Sequence, residues 1–328
     1  MTHRVLVTGI SGYLGQHVAA ELLRQGYGVV GTVRTLAKAD VSRSAISSVA
    51  PIENLSFAEA DLLVDGGWEA ALEGCDYVVH VASPFVLAEP KDENDLIAPA
   101  VEGTTRVVSA AVRAGVKRVV VTSSVVAMTT GKPNGRYGPD AWSDVNANIG
   151  AYAKSKTLAE RAAWDIVAGT NTELVAINPG FIMGPSLGAP GEGQSESMMK
   201  ALVTGKMPMI PDVAMGMIDV RDVARLHVAA LGAATAPGKR FIAASEEPVE
   251  LSFLAGVLRR AGYAKVPSRR APNVLIKVMS LFDREAKGTL PQLGKRIAYD
   301  THETYDVLGW QPTPLETTFV EMAAAIAG

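Results

Sequence analysis

The stretch TGISGYLG, residues 8–15, decides the fold of this chain because of what stands on either side of it. Before it, RVLVT (residues 4–8) is short, β-branched and apolar, which is typical of a strand buried on both faces. After it, residues 12–26 carry apolar side chains at helical spacing and end on a glycine. A strand, a glycine-rich turn and a helix in this order predict a turn that cradles a phosphate at the helix N-terminus.

The three glycines of this turn are spaced as GxxGxxG, which differs from the more familiar GxGxxG. A dinucleotide needs a tight turn, a close approach of backbone to pyrophosphate, and close packing of the helix on the strand. A residue without a Cβ atom meets each need. The turn therefore predicts dinucleotide binding, with an ordinary glycine-rich turn as the alternative. The residues expected to contact the cofactor here are Thr8, Gly9, Ser11, Gly12, Tyr13, Leu14 and Gly15.

Strand-like and helix-like segments alternate through the first half of the chain. Strands are predicted over residues 27–33, 55–60, 76–82, 117–123 and 173–178. Long helices are predicted over about 95–114 and 151–168. This alternation predicts an α/β fold, a doubly wound parallel sheet of the Rossmann type with helices on both faces.

The alternation stops after Pro179, where a stretch rich in glycine, proline and methionine begins. From residue 251 the chain is predicted to be mostly helical. We expect a cofactor-binding domain over residues 1–179 and a smaller, mainly helical substrate-binding region over 180–328. A part of the second region, about 212–244, is expected to return to the first domain.

The composition excludes several classes of protein. With 34 acidic and 31 basic side chains, the net charge of −3 argues against nucleic acid or an anionic membrane as partner. One cysteine and five histidines without HxxxH pairing argue against a disulfide framework and a metal site. No apolar run approaches the roughly 18 residues of a membrane span. The chain starts without a signal-peptide pattern, so we expect a soluble, cytoplasmic protein.

The residue at the end of the second strand indicates which dinucleotide binds. An acid there would bond the ribose hydroxyls of NAD, but this chain has Arg34, with Lys38 one helical turn further on. A guanidinium suits a 2′-phosphate because it is planar, permanently charged and able to bind bidentately. The sequence therefore predicts NADP(H), with a solvated surface arginine as the alternative. Asp61 and Leu62, after the third strand, are placed to touch the adenine; an ordinary strand-end aspartate is the other interpretation.

A second group of residues predicts the chemistry. Tyr152 and Lys156 are four residues apart at the start of a predicted helix and therefore share one face. We expect the lysine ammonium, together with an oxidised nicotinamide, to bring the high pKa of the tyrosine toward the working range. Ser123 and Ser124 end the fifth strand, at the edge where parallel sheets build active sites. Alone, a YxxxK pattern is typical of a surface helix; with the glycine turn and the serines it predicts a catalytic triad of Ser124, Tyr152 and Lys156.

In these motifs the chain resembles the extended short-chain dehydrogenases/reductases over nearly its whole length. The subgroup it resembles contains dihydroflavonol reductases, cinnamoyl-CoA reductases and yeast-type aldehyde or methylglyoxal reductases. Its further marks are HVASPF (80–85), PAVEGT (99–104), VTSS (121–124), WSD (142–144), NPG (178–180), DVRD (219–222) and LGWQP (308–312). The resemblance implies that Ser124, rather than Ser123, faces the substrate. The cofactor contacts it adds to the turn are Val81, Ala82, Ser83, Tyr152, Lys156, Pro179, Gly180, Ile182 and Ser197.

Two departures from the subgroup bear on mechanism and substrate. The asparagine that many short-chain dehydrogenases use in a proton relay on the fourth helix is not evident. The N-W-Y-C-Y signature of cinnamoyl-CoA reductases is absent, which argues against a CoA thioester as substrate. We expect a small carbonyl compound instead, and a protein that is a monomer or a homodimer.

The substrate pocket is expected to be closed by Pro84, Phe85 and Val86, by the loop over residues 125–150, and by the region after Pro179. Ser124 and Tyr152 are expected to reach into it. Six methionines lie between residues 198 and 217; they either fill gaps in the core or form a plastic apolar wall.

Three functions compete for these motifs. An NADPH-dependent carbonyl reductase is favoured. A sugar-nucleotide epimerase or dehydratase predicts an acid where Arg34 stands, basic diphosphate contacts, and in dehydratases an Asp-Glu pair after the strand-end hydroxyl. This chain has Val125 and Val126 at those last positions. A non-catalytic NADP(H) sensor has no reason to keep Ser124, Tyr152 and Lys156 together. Because fold alone does not select a function, the site residues carry this choice.

Overall fold

The computed structural model describes residues 3–84, 90–188, 193–279 and 290–327, and its centre is a seven-stranded sheet. The strands are β1 (Arg4–Thr8), β2 (Gly28–Val33), β3 (Leu55–Glu59), β4 (Tyr77–His80), β5 (Arg118–Thr122), β6 (Gly135–Tyr137), β7 (Glu173–Pro179), β8 (Phe181–Met183), β9 (Ala214–Met215), β10 (Met217–Asp219), β11 (Arg240–Ala243), β12 (Val249–Glu250) and β13 (Ile297–Tyr299). The helices are α1 (Tyr13–Arg24), α2 (Ala39–Ser47), α3 (Trp68–Leu72), α4 (Asn94–Arg113), α5 (Val126–Thr129), α6 (Ala151–Val167), α7 (Gln194–Thr204), α8 (Val220–Gly232), α9 (Leu251–Arg260), α10 (Asn273–Met279), α11 (His302–Leu308) and α12 (Leu315–Ala327). Short 3-10 helices span Leu36–Lys38 and Leu290–Gln292.

The sheet has the strand order β11-β7-β5-β4-β1-β2-β3, and every pairing in it is parallel. Its strands are buried on both faces because helices cover both. On one face α1 and α8 pack with side chains such as Val5 and Val7 of β1. On the other face α3, α4 and α6 pack with side chains such as Leu6 of β1. Since neighbouring strand residues point to opposite faces, one strand serves both layers. This confirms the predicted doubly wound α/β fold.

A second apolar cluster lies beside the sheet. It joins α7, α9 and α12 to β8 and β10 and includes Met183, Met199, Leu254 and Phe319. The chain between these elements returns to the sheet, because β11 pairs with β7 and α8 packs on the layer that contains α1. The division into a cofactor domain and a substrate-binding region at residue 179 stays a prediction.

Several short elements had no counterpart in the sequence interpretation, namely α2, α3 and the small strands outside the main sheet. Three two-stranded pairs, β8 with β10, β9 with β12 and β6 with β13, join segments that are distant in the chain. Apart from α2, which has nine residues, these elements are two to five residues long and carry too little periodicity to be read from sequence. Within the described residues, no helix has both the length and the apolar character needed to cross a membrane.

Candidate active site

The strand order reverses between β1 and β4. From β1 the chain builds outward to β2 and β3, then returns to add β4, β5, β7 and β11 on the other side. In an open parallel sheet such a reversal leaves a crevice at the carboxyl ends of the two central strands, and ligands bind there. The glycine turn leaves β1 at this crevice, and the residues after β4 and β5 face it.

The glycine turn is a close backbone packing. Gly9 has φ +68°, and a Cβ on it would lie 2.9 Å from the Cα atom of Ala82. A Cβ on Gly15 would lie 2.2 Å from the carbonyl oxygen of Gly9. Helix α1 begins after Gly12 without a side-chain cap, and its first turn holds no acid. Its free N–H groups and positive end therefore suit an anion such as a pyrophosphate, so these residues fit a dinucleotide.

The side chains around the turn are engaged by the protein itself. The hydroxyl of Thr8 accepts a hydrogen bond from the Ala82 N–H at 3.0 Å and lies 2.8 Å from Nδ1 of His80. The hydroxyl of Tyr13 donates to the Gly184 carbonyl at 2.7 Å. Burial raises the pKa of Tyr13, so the phenol stays protonated. Thr8 and Tyr13 thus anchor the turn, while exposed Ser11 and buried Leu14 lie beside its backbone. A cofactor contact by any of these side chains stays a prediction.

The residues predicted to read the adenosine lie at the ends of β2 and β3. Arg34 follows β2 directly and is exposed, as is Lys38 at the end of the first 3-10 helix. The Asp61 carboxylate accepts a hydrogen bond from the Leu63 N–H at 3.0 Å. Leu62 packs instead under α4, where its Cβ atom lies close to Gly103. The two basic side chains are therefore available to a phosphate at this edge, and Leu62 lies against the protein.

Helix α6 carries the predicted catalytic pair. It begins at Ala151, directly after Gly150, whose φ of +81° turns the chain into the helix. Tyr152 is half-buried and Lys156 is buried, with 8% of its surface exposed. Burial lowers the pKa of Lys156 to about 8, while Glu160 opposes this shift. Lys156 is therefore an ammonium at neutral pH and loses its proton in mildly alkaline solution.

The pKa of Tyr152 moves in the opposite direction to the one expected from its lysine neighbour. Burial raises it to about 12. The cause is the loss of hydration around a phenolate. The expected lowering by Lys156 together with an oxidised nicotinamide stays a prediction. A tyrosine with this pKa is a protonated donor at every working pH.

The two serines after β5 point to different partners. The Ser124 hydroxyl is buried, donates to the Pro179 carbonyl at 3.3 Å and accepts from the Val126 N–H at 3.3 Å. The Ser123 hydroxyl donates to the carboxylate of Glu160 on α6. Ser124 therefore lies beside the end of β7, and Ser123 is committed to a structural bond. This arrangement supports Ser124 as the residue that faces the substrate.

Sequence reasoning missed the polar network around Glu160. Its Oε1 atom accepts from Nε of Arg240 at 2.5 Å and from Nε1 of Trp164 at 3.3 Å. Its Oε2 atom accepts from Ser123, from Nδ2 of Asn178 at 2.9 Å and from Nη2 of Arg240 at 3.2 Å. The Glu160 side chain is fully buried. A signal was present: Glu160 stands four residues after Lys156, and Arg240 is a charge in an apolar strand.

A second missed chain of contacts starts at His80. Its Nδ1 lies 2.8 Å from the Thr8 hydroxyl, and its Nε2 lies 3.4 Å from the Thr104 hydroxyl on α4. Burial lowers the pKa of His80 to about 3, so the ring is neutral. Together with Lys156 and Glu160, His80 and Thr104 line a cavity of about 20 Å³ between α4, α6 and the sheet.

The other predicted residues fall as follows. Val81, Ala82, Ser83 and Pro84 follow β4 and are half-buried, whereas Phe85 and Val86 lie outside the described residues. Pro179 ends β7, and Gly180 donates its N–H to the Ala243 carbonyl at 2.9 Å. Ile182 lies on β8, and Ser197 lies in the first turn of α7. The cofactor and substrate roles of these residues stay predictions.

The methionine-rich segment is largely core. Met199 and Met217 are buried in the second apolar cluster, and Met198, Met207 and Met215 pack against it. This favours the first of the two interpretations, in which these flexible side chains fill gaps.

Comparison with known proteins places the chain in a family. Residues 5–244 match the NAD dependent epimerase/dehydratase family. The chain is 31% identical to cinnamoyl-CoA reductase CAD2 of Medicago truncatula over 333 residues, 98% of this chain and 95% of the relative. It is 31% identical to the putative NADPH-dependent methylglyoxal reductase GRP2 of Candida albicans over 280 residues, 78% of this chain and 82% of the relative. The solved yeast methylglyoxal/isovaleraldehyde reductase Gre2, complexed with NADPH, has a TM-score of 0.80 at 24% identity over 98% of each chain, a likeness of fold.

The chain therefore belongs to the NAD dependent epimerase/dehydratase family. Within the family it falls among the reductases, the oxidoreductase subgroup that the motifs indicated. This confirms the resemblance on which the sequence analysis relied, while the roles of individual residues are not tested by it.

Proposed function

We propose that this protein is an NADPH-dependent carbonyl reductase that converts an aldehyde or ketone to the alcohol, with Tyr152 as proton donor. The observation that carries the proposal is the pair of a half-buried Tyr152 and a buried Lys156, one turn apart on one face of α6. Ser124 stands at the neighbouring strand end, tied through its carbonyl to Asn178 at 3.3 Å. A protein that only binds NADP(H) has no reason to keep these three residues together.

The cofactor part of the proposal rests on the glycine turn and on Arg34. The turn suits a pyrophosphate, and the exposed Arg34 and Lys38 supply positive charge where an NAD-binding protein would hold an acid. The relative from Candida albicans is named an NADPH-dependent reductase. Bound NADPH would supply the hydride.

Three residues would carry out the other steps of the reduction: orienting the carbonyl, donating a proton and stabilising the phenolate. Ser124 holds the carbonyl oxygen of the substrate by a hydrogen bond and orients it. Tyr152 gives its phenolic proton to that oxygen as negative charge grows there; with a pKa of about 12 it is still more acidic than an alcohol. The Lys156 ammonium stabilises the phenolate that remains and is placed to bind ribose hydroxyls.

The family name also covers epimerases and dehydratases, but the site favours reduction. Arg34 stands where those enzymes are expected to have an acid, and between residues 180 and 217 of the sequence the only lysines or arginines are Lys200 and Lys206. The absence of the N-W-Y-C-Y signature favours a free aldehyde or ketone over a CoA thioester, although one relative is named a cinnamoyl-CoA reductase. The cytoplasmic location and a monomeric or homodimeric state complete the proposal.

The test is a substrate panel of aldehydes, α-ketoesters, diketones, flavonoid ketones and one cinnamoyl-CoA, assayed with NADPH and with NADH by loss of reduced-nicotinamide absorbance. We expect turnover of at least one free carbonyl compound, faster with NADPH, and an alcohol product by mass spectrometry. Turnover of the thioester alone would overturn the substrate class. NADPH binding without oxidation across the panel would favour the sensor.

A further inference from the structure

The Glu160 network joins both catalytic segments. Through its carboxylate it holds Ser123, next to Ser124 after β5, and Asn178, which also donates to the Ser124 carbonyl. Through its own helix it lies one turn beyond Lys156 on the same face. The strand end that carries Ser124 and the helix that carries Lys156 are thus tied at one carboxylate.

The charges in this network are poorly screened. Glu160 has no exposed side-chain surface and Arg240 has 8%. Lys156 and Glu160 line the same cavity of about 20 Å³, which has room for about one water molecule. In such surroundings, electrostatic interactions are much stronger than in bulk water. Solvent therefore attenuates the action of a carboxylate here on the neighbouring ammonium very little.

Few other charged or titratable groups around this cavity can act on the Lys156 ammonium. From β4, His80 faces the cavity as a neutral ring. The polar side chains that line the cavity from α4, from β5 and from the residue after β5 are Thr104, Thr122 and Ser123, which do not titrate in the working range. On α6 itself, Tyr152 is a protonated phenol below pH 12. This leaves Arg240, stacked at 3.7 Å over the Trp142 ring and bonded to Glu160, as the opposing charge.

We propose, resting on the reductase function above, that Glu160 is a positioning residue whose buried carboxylate holds the Lys156 ammonium and the Ser124 strand end in one network. Arg240, which pairs with this carboxylate, determines how strongly the carboxylate acts on Lys156. The direction in which Glu160 acts on the pKa of Lys156 agrees, since it opposes the effect of burial. Neither residue need touch the substrate for this role.

The experiment compares Glu160→Gln, Arg240→Gln and the double variant. Two readouts are taken: the NMR titration of [13Cε]lysine-labelled protein, with the Lys156 signal assigned by its loss in Lys156→Met, and the alkaline limb of kcat/KM. Glu160→Gln removes a negative charge, so both midpoints should move down by roughly one pH unit. Arg240→Gln should move both up, and the double variant, neutral at both positions, should return near the wild type.

The matched control is Glu173→Gln. Glu173 also pairs with a buried arginine, Arg118, at 2.7 Å. Both residues lie at the first positions of β7 and β5, at the edge of the sheet opposite to the site. This variant should leave the Lys156 midpoint unchanged. Equal midpoints in all variants with only a lower Tm, or shifts of one sign in both single variants, would overturn the proposal. If Glu160→Gln does not fold, the Arg240→Gln shift decides, and because the NMR arm needs no turnover, an inactive wild type would overturn only the reductase function.

Discussion

The glycine turn and the catalytic face lie at the same edge of the sheet but are built in different ways. In the turn, the decisive contact joins Gly15 to Gly9, six residues apart, through backbone atoms alone. On the catalytic face, the decisive contacts join Glu160 to Ser123, Asn178 and Arg240, the last of them 80 residues away. The first region depends on the absence of side chains, and the second depends on the pairing of buried ones.

This difference has a physical basis. A close backbone approach is a steric condition, which a short stretch of glycines satisfies by itself. A buried carboxylate or guanidinium must find partners for its hydrogen bonds, and those partners come from whichever segments the fold packs beside it. The two regions are therefore expected to fail differently when they are altered.

The largest effect is expected on the catalytic face, from Tyr152→Phe. The variant keeps the ring packing but removes the proton, so kcat should fall by about 10²–10⁴-fold. NADPH binding should be retained, because only the transition state loses an interaction. Steady-state kinetics and NADPH fluorescence titration measure the two. The control is Tyr77→Phe, at the first residue of β4 and therefore at the opposite edge of the sheet from the site, which should keep full turnover. Near-normal turnover of Tyr152→Phe would refute the mechanism.

The next largest effect is expected at the end of β2, beyond the glycine turn, where Arg34 lies. Arg34→Asp removes a charge-assisted contact of about 1.5–3 kcal/mol, so the Kd for NADPH should rise roughly ten- to a hundredfold. The Kd for NADH should change much less, since NADH lacks the 2′-phosphate. Arg113→Asp makes the same charge change at the exposed last turn of α4 and should leave both Kd values close to the wild type. An unchanged ratio of the Kd values for NADPH and NADH would show that Arg34 does not determine the choice of cofactor.

The turn itself is tested by Gly15→Ala. The added Cβ would lie 2.2 Å from a backbone oxygen, so the turn must shift, and the free energy of unfolding should fall by about 1–3 kcal/mol. Gly232→Ala, at the end of α8, meets nothing within 4 Å and should be neutral or slightly stabilising. Denaturant unfolding of both variants measures this. Equal stabilities would show that the turn is less tightly packed than the structure indicates.

The smallest effect concerns pH. Because burial lowers the pKa of Lys156 to about 8, its ammonium is present below pH 8 and is lost above it. We expect kcat/KM for reduction to fall about tenfold per pH unit above that value. Tyr152, with a pKa of about 12, does not contribute to this limb. Lys156→Arg stays charged and should lose the limb even if it is slower. A profile that is flat to pH 9.5 would contradict the assignment.

The sequence predicted the main sheet and its long helices closely, and it missed the contacts that tune the site. The predicted helix over 151–168 corresponds to α6, Ala151–Val167, because helical periodicity over a long segment can be recognised in the sequence. The rise that burial causes in the pKa of Tyr152 was not foreseen, because burial of a side chain cannot be read from its neighbours in the chain. The family resemblance favoured Ser124 over Ser123, but only the structure shows that the Ser123 hydroxyl donates to Glu160.

What the sequence by itself determined is therefore local: three glycines at the end of a strand, a tyrosine and a lysine one helical turn apart, and strands alternating with helices. These follow from steric exclusion and from the periods of helix and strand, which act over a few residues. Only the tertiary structure decided that Glu160, Asn178 and Arg240 meet, that Lys156 is buried beside them, and that Tyr152 is held protonated. Those outcomes depend on burial and on long-range pairing of polar groups, and both exist only once the sheet has brought distant segments together.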